Sequence, residues 1–175
     1  MRLAPSGPVP PEGFTEFVTA RSTALLRTAW LLTGDRGKAE DLLQTVLSAA
    51  WPRWSRIAGG GNPEAYVRRA LFTTYLSWRR RRWRFEVPEA DQTAAASTAG
   101  DIADACADRD AVRRALAGLS YQQRAVLVLR YVEDQSVEQT ADVLGCSAAT
   151  VKVQAGRALA RLRADPNFRF SQVTS

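Results

Sequence analysis

The chain has 175 residues, enough for one medium domain or two small ones, and 46% of them are hydrophobic, so it should fold rather than stay disordered. Its 24 Lys and Arg against 18 Asp and Glu give a net charge of +6, a balance that points to a polyanionic partner such as nucleic acid or, less specifically, an acidic membrane surface. There is no histidine, and the only two cysteines are Cys106 and Cys146, which excludes a Ser-His-Asp triad, a catalytic zinc site and a disulfide framework.

The first thirteen residues are Pro-rich without a signal-peptide pattern, and no apolar stretch is long enough to span a bilayer. Residues 1–13 read as a disordered N-terminus, and the protein as soluble and cytoplasmic, with reduced thiols and no membrane insertion. From Phe14, the residues Phe17, Val18, Leu25, Trp30 and Leu32 follow with helical spacing up to Thr33-Gly34-Asp35, a stop followed by a new start. A second helix from Lys38 to Trp51 puts Leu42, Leu43, Val46, Leu47 and Ala50 on one stripe and turns Glu40, Asp41, Gln44 and Ser48 outward; Pro52 ends it. Gly59-Gly60-Gly61-Asn62-Pro63 is a loop. Pro63 opens a third helix in which Val67, Leu71, Thr74, Tyr75 and Trp78 share a face ahead of Arg79-Arg80-Arg81-Arg82-Trp83-Arg84. Five arginines in six residues repel one another unless a polyanion or hydration relieves the Coulomb energy, and Trp78 and Trp83 offer flat faces on which a base could stack.

Charge then changes sign. Residues 1–84 carry 14 basic and 6 acidic side chains, 85–110 carry 1 and 7, and 111–175 carry 9 and 5. The middle block has too little apolar surface to offset the entropy of ordering, so 86–109 reads as a flexible acidic linker between a module at 14–85 and another at 110–164, with 165–175 as a tail.

The second module is also helical. Asp110 to Leu119 and Tyr121 to Tyr131 form two helices, and Ser136 opens a third that stops at Leu144-Gly145; Ser147 then caps a last helix with Val151, Ala155, Ala158, Leu159 and Leu162 in one stripe. Helix, glycine turn, helix is the helix-turn-helix pattern, whose second helix enters the major groove. Ala141 permits close helix approach, Gly145 supplies a positive φ and Val151 fills the angle between the helices. That leaves Ala149, Thr150, Lys152, Val153 and Gly156 to meet bases, with Arg157 and Arg161 placed for phosphates. No strand pattern appears, so the expected fold class is all-α, in two small helical domains. On the residues alone, a stand-alone helix-turn-helix repressor reading a palindrome as a symmetric dimer stays open, although it leaves the polar helix and the arginine run of the first module without a role. An enzyme has neither histidine, Gly-rich phosphate loop nor clustered carboxylates to recommend it.

Gly34-Asp35-x-x-x-Ala39-Glu40-Asp41-Leu42-x-Gln44, the runs AYVRR…TYLSWRRRRW and VLVLRY.ED.S…TA.VLGCS..TVK, and their order resemble the extracytoplasmic-function (ECF) sigma factors of bacterial RNA polymerase, specifically the SigE-like actinobacterial subgroup. The likeness covers about 150 residues. It implies a sigma-2 domain for the promoter minus-10 element and a sigma-4 helix-turn-helix for the minus-35 element, with no catalysis, cofactor or metal. Implied partners are promoter DNA, core RNA polymerase through its β′ coiled coil and β flap, and an anti-sigma factor. Asp41, Leu42 and Gln44 match the segment that grips β′. Trp51, Arg53, Trp54 and the loop to Asn62 match the strand-opening region, and Arg68, Arg69, Thr73, Ser77, Arg79, Arg80, Arg81 and Arg82 match the minus-10 helix. Ala149, Thr150, Lys152, Gln154 and Arg157 match the minus-35 helix. Many relatives have Asn and Asp where Thr73 and Ser77 stand, so their base preference does not transfer.

The linker sets a geometric expectation. As a flexible coil, Glu86 to Asp108 relaxes to about 25–30 Å and stretches to roughly 75 Å, whereas elements two duplex turns apart lie about 70 Å from each other. The free chain should not hold both; core polymerase should set their spacing.

Overall fold

The computed structural model describes residues 9–85 and 103–165, with side chains described over 9–81 and 110–165. Residues 1–8, 86–102 and 166–175, which include most of the expected N-terminus, linker and tail, lie outside the described residues. Within 9–13, Pro11 and Gly13 already support the first helix through their carbonyls.

Helix α1 (Phe14–Thr33) stops at Gly34, whose φ of 70° lets its N–H reach Trp30 O at 2.7 Å. Asp35 caps α2 (Arg36–Ala50), accepting from Lys38 N at 2.8 Å. Pro52 ends α2 as expected, but the chain goes on as a 3₁₀ turn (Trp51–Arg53) and a short helix α3 (Trp54–Gly59), not as an open loop. The reason is burial: Trp54 and Ile57 drop into the core. Asn62 then caps α4 (Pro63–Phe85) by accepting from Ala65 N.

In the second module α5 (Ala103–Ala117) starts ahead of 110, inside the stretch read as linker. Ala-rich composition is a good helix former once part of the helix packs, and here Ala111, Val112, Ala115 and Leu116 are buried. A capping box of Ser120 and Gln123 opens α6 (Tyr121–Leu127), which widens into a π turn over Val128–Val132. Glu133 and Asp134 follow, the latter at φ 50°. A second capping box, Ser136 with Gln139, opens α7 (Val137–Leu144); Gly145 turns at φ 64°, and Ser147 caps α8 (Ala148–Arg163). Val126, Ala141 and Val151 close the helix-turn-helix from inside.

The two modules pack on each other, and one cluster of buried residues crosses between them. It runs from α1, α2 and α4 through α5, α6 and the π turn to Ala158 and Leu162 of α8, and α4 touches both α6 and α7. Polar contacts lock the junction. Arg124, 6% exposed, donates from Nη1 to Leu32 O at 2.9 Å and from Nη2 to Leu116 O at 2.8 Å, so one guanidinium sits on the carbonyl ends of α1 and α5, where a cation is favoured. Glu133, its side chain 7% exposed, accepts from Thr28 Oγ1 at 2.6 Å and pairs with Arg68. Arg69 Nη2 reaches Asp142 O at 3.3 Å. Among the described residues no helix is long and apolar enough to cross a membrane.

Candidate nucleic-acid interface

On α8, Ala149, Thr150, Lys152, Val153, Gly156 and Arg157 are exposed and Gln154 is half-buried, while Val151, Ala158 and Leu162 are buried. The helix is held from one side and free on the other. Thr150 is oriented by Ser147, whose Oγ accepts from Thr150 N at 3.1 Å and lies 2.9 Å from its hydroxyl. Glu138, in the first turn of α7, is held below the usual carboxylate range by a backbone N–H, with help from the Ser136 hydroxyl and the charges of Lys152 and Arg130. Cys146 sits in the turn, and burial pushes its thiol up; a protonated thiol is a packing group, not a nucleophile.

On α4 the arrangement is mixed. Thr73, Arg80 and Arg81 are exposed, and Ser77 and Arg79 are half-buried, with Arg79 lying over the Tyr75 ring at 5.9 Å. The side chain of Arg82 lies outside the described residues. Arg68 and Arg69, expected at DNA, are engaged by the second module through Glu133 and Asp142, and Arg68 also binds Glu64 at 2.7 Å. Nothing in the spacing of the sequence announces Glu133 or Thr28 as partners. Asn62 is exposed but its Oδ1 is spent on the cap.

Leu42 is 0% exposed, because it belongs to the same helical stripe as Ala39, Leu43, Val46 and Ala50, so in this arrangement it supports the face of α2 from inside. Trp54 is 2% exposed, with Phe14 edge-on to its ring at 5.0 Å and Phe17 tilted against it at 4.9 Å, so in this arrangement it belongs to the core. Trp51 is half-buried against Phe14, and Arg53 is exposed. Asp41 and Gln44 are exposed on α2. Beside them runs an open groove of about 600 Å³, floored by Phe14, Val18, Leu26, Leu43 and Leu47 and edged by Glu40, Gln44 and Ser48. Its α1 wall is visible in the sequence as the four-residue steps Phe14, Val18, Ser22 and Leu26.

The comparisons with known proteins bear on the family and the fold. The family described as "Sigma-70, region 4" matches residues 109–162, the helix-turn-helix module. The RNA polymerase sigma-E factor of Streptomyces avermitilis is 44% identical over 156 residues, covering 89% of this chain and 86% of that protein. The ECF RNA polymerase sigma factor SigL of Mycobacterium tuberculosis is 35% identical over 149 residues, covering 81% and 82%. Among solved structures, the sigma factor RpoE of Bartonella quintana, in complex with the anti-sigma factor NepR, aligns with a TM-score of 0.61 at 26% identity over 88% of this chain and 96% of that one. Identity at this level over nearly the full length, on an all-helical fold with an outward-facing recognition helix, places the chain in the ECF family of RNA polymerase sigma factors, non-enzymatic proteins that read promoters in transcription initiation.

Proposed function

We propose a division of labour among three helices. The exposed Asp41 and Gln44 of α2, with the apolar groove beside them, grip the β′ coiled coil of core polymerase; α4, with Trp51 and Arg53 before it, engages the minus-10 element; and α8 reads the minus-35 element while the β flap holds the second module. What supports this is sidedness: on each helix the positions assigned to a partner are mostly solvent-facing, and the residues between them are core. The likeness to a sigma factor bound by its anti-sigma factor supports an anti-sigma protein as a further partner.

Distance then requires a rearrangement. Two bodies of this size have radii of gyration near 11 Å, so in contact their centres lie within roughly 30 Å, less than half of the about 70 Å between elements two duplex turns apart. Core polymerase must part the modules. The chain from Phe85 to Ala103 spans 18 residues, which reaches at most about 60–65 Å, so separation also draws on the breadth of the modules.

Run-off transcription with core polymerase is the test: a specific start should depend on this chain. Asp41→Ala with Gln44→Ala should weaken association with core polymerase about tenfold or more at unchanged Tm, whereas Leu42→Ala should cost about 2–5 kcal/mol of stability. Equal loss of stability in both would remove the groove face from the reading. Lys152→Ala and Arg157→Ala should each flatten the salt dependence of minus-35 binding by about 0.9 log units for every phosphate that is no longer neutralised, read from titrations at several salt concentrations.

A further inference from the structure

Val153 is 50% exposed and stands on the outward face of α8. The inward stripe of that helix is already complete with Val151, Ala158 and Leu162, and Val153, two positions beyond Val151, points away from it. One turn before it lies Ala149, and one turn after it Gly156, where an added Cβ would meet nothing within 4 Å. The isopropyl group therefore stands proud between two positions with little or no side chain, flanked by Arg157. A β-branched residue also costs helix propensity, and here it receives no core packing in return.

A lone surface valine elsewhere would mean nothing, but this face is the one a helix-turn-helix turns toward the major groove. Along that groove the base edges present donors, acceptors and one apolar feature, the C5-methyl of thymine. A valine can neither donate nor accept a hydrogen bond, so its discriminating contact with a base edge is with that methyl. We propose that Val153 is a specificity-determining residue that reads a thymine methyl in the minus-35 element, with Thr150 and Arg157 setting the depth of the helix through neighbouring polar contacts. The proposal rests on α8 being the minus-35 helix.

The test uses holoenzyme reconstituted from core polymerase and the full chain. It first selects minus-35 elements from a randomised pool; each thymine of the selected element, on either strand, is then replaced by deoxyuridine, which removes the methyl alone. At one position the wild type should lose about three- to fourfold in promoter affinity, the worth of one buried methyl group. With Val153→Ser the same replacement should have no effect, and the selected element should lose its preference at that position only; Val153→Thr, which keeps one methyl, should fall between. A selected element without thymine, equal affinity on thymine and deoxyuridine at every position, or a penalty that persists in Val153→Ser overturns the proposal. If scrambling the whole minus-35 element leaves affinity unchanged, the reading of α8 itself falls. If scrambling costs affinity and deoxyuridine does not, the role of Val153 alone is lost.

Discussion

Arg124→Met is expected to lower stability by about 3–5 kcal/mol and to split one unfolding transition into two. The side chain is almost fully buried and spends two charge-assisted bonds on Leu32 O and Leu116 O, each worth about 1.5–3 kcal/mol. Methionine keeps much of the volume and removes the donors, leaving the carbonyl ends of α1 and α5 without them in a place water does not reach. Against a total stability of about 5–15 kcal/mol that is a large fraction. Leu32 belongs to the first module and Leu116 to the second, so the loss falls on their coupling. Calorimetry checks it: separate transitions for the two modules are expected, with helix content by circular dichroism retained at low temperature. A single transition with Tm unchanged would show that apolar packing alone joins them.

Glu133→Ala should tighten binding of the free chain to single-stranded minus-10 DNA by about tenfold. In the docked arrangement Glu133 holds Thr28 and Arg68, which stands on the helix proposed for the minus-10 element; on that proposal a phosphate and this carboxylate compete for one guanidinium. Removing the carboxylate leaves Arg68 on Glu64 and weakens the junction by roughly 1–2 kcal/mol, the range of a hydrogen-bonded charge with some solvent access, and about 1.4 kcal/mol is a factor of ten. The same variant in holoenzyme should bind as wild type does if core polymerase parts the modules as proposed. Fluorescence anisotropy on a minus-10 oligonucleotide reads both; an unchanged Kd for the free chain would sink the idea that docking covers α4.

Local features are legible in the sequence because their causes are local. Gly34, Ser136, Gly145 and Ser147 each fix a boundary within a few residues of themselves, and the stripe through Val151 and Leu162 needs only helical periodicity. What is not legible is made between distant positions. Arg124 to Leu32 spans 92 residues and Thr28 to Glu133 spans 105, and the acceptors under Arg124 are main-chain oxygens that every residue carries. One hint is present: Arg124 borders the apolar run Ala125-Val126-Leu127-Val128-Leu129, where a charge without a partner would be costly. In α2, periodicity alone places Leu42 in the buried stripe. The burial of Trp54 is not legible, because a tryptophan ahead of a glycine loop looks the same in sequence whether it faces outward or supports the wall behind it.

Because Arg124 binds peptide carbonyls, the junction is asymmetric toward mutation. Exchange of the side chain at 32 or 116 for another of similar bulk leaves the bond intact, since the oxygen stays where the helix end puts it. No exchange at 124 does, because no other residue type offers a rigid fork of donors at that reach. Drift on one side of the seam is therefore silent, and on the other it uncouples the two halves in a single step.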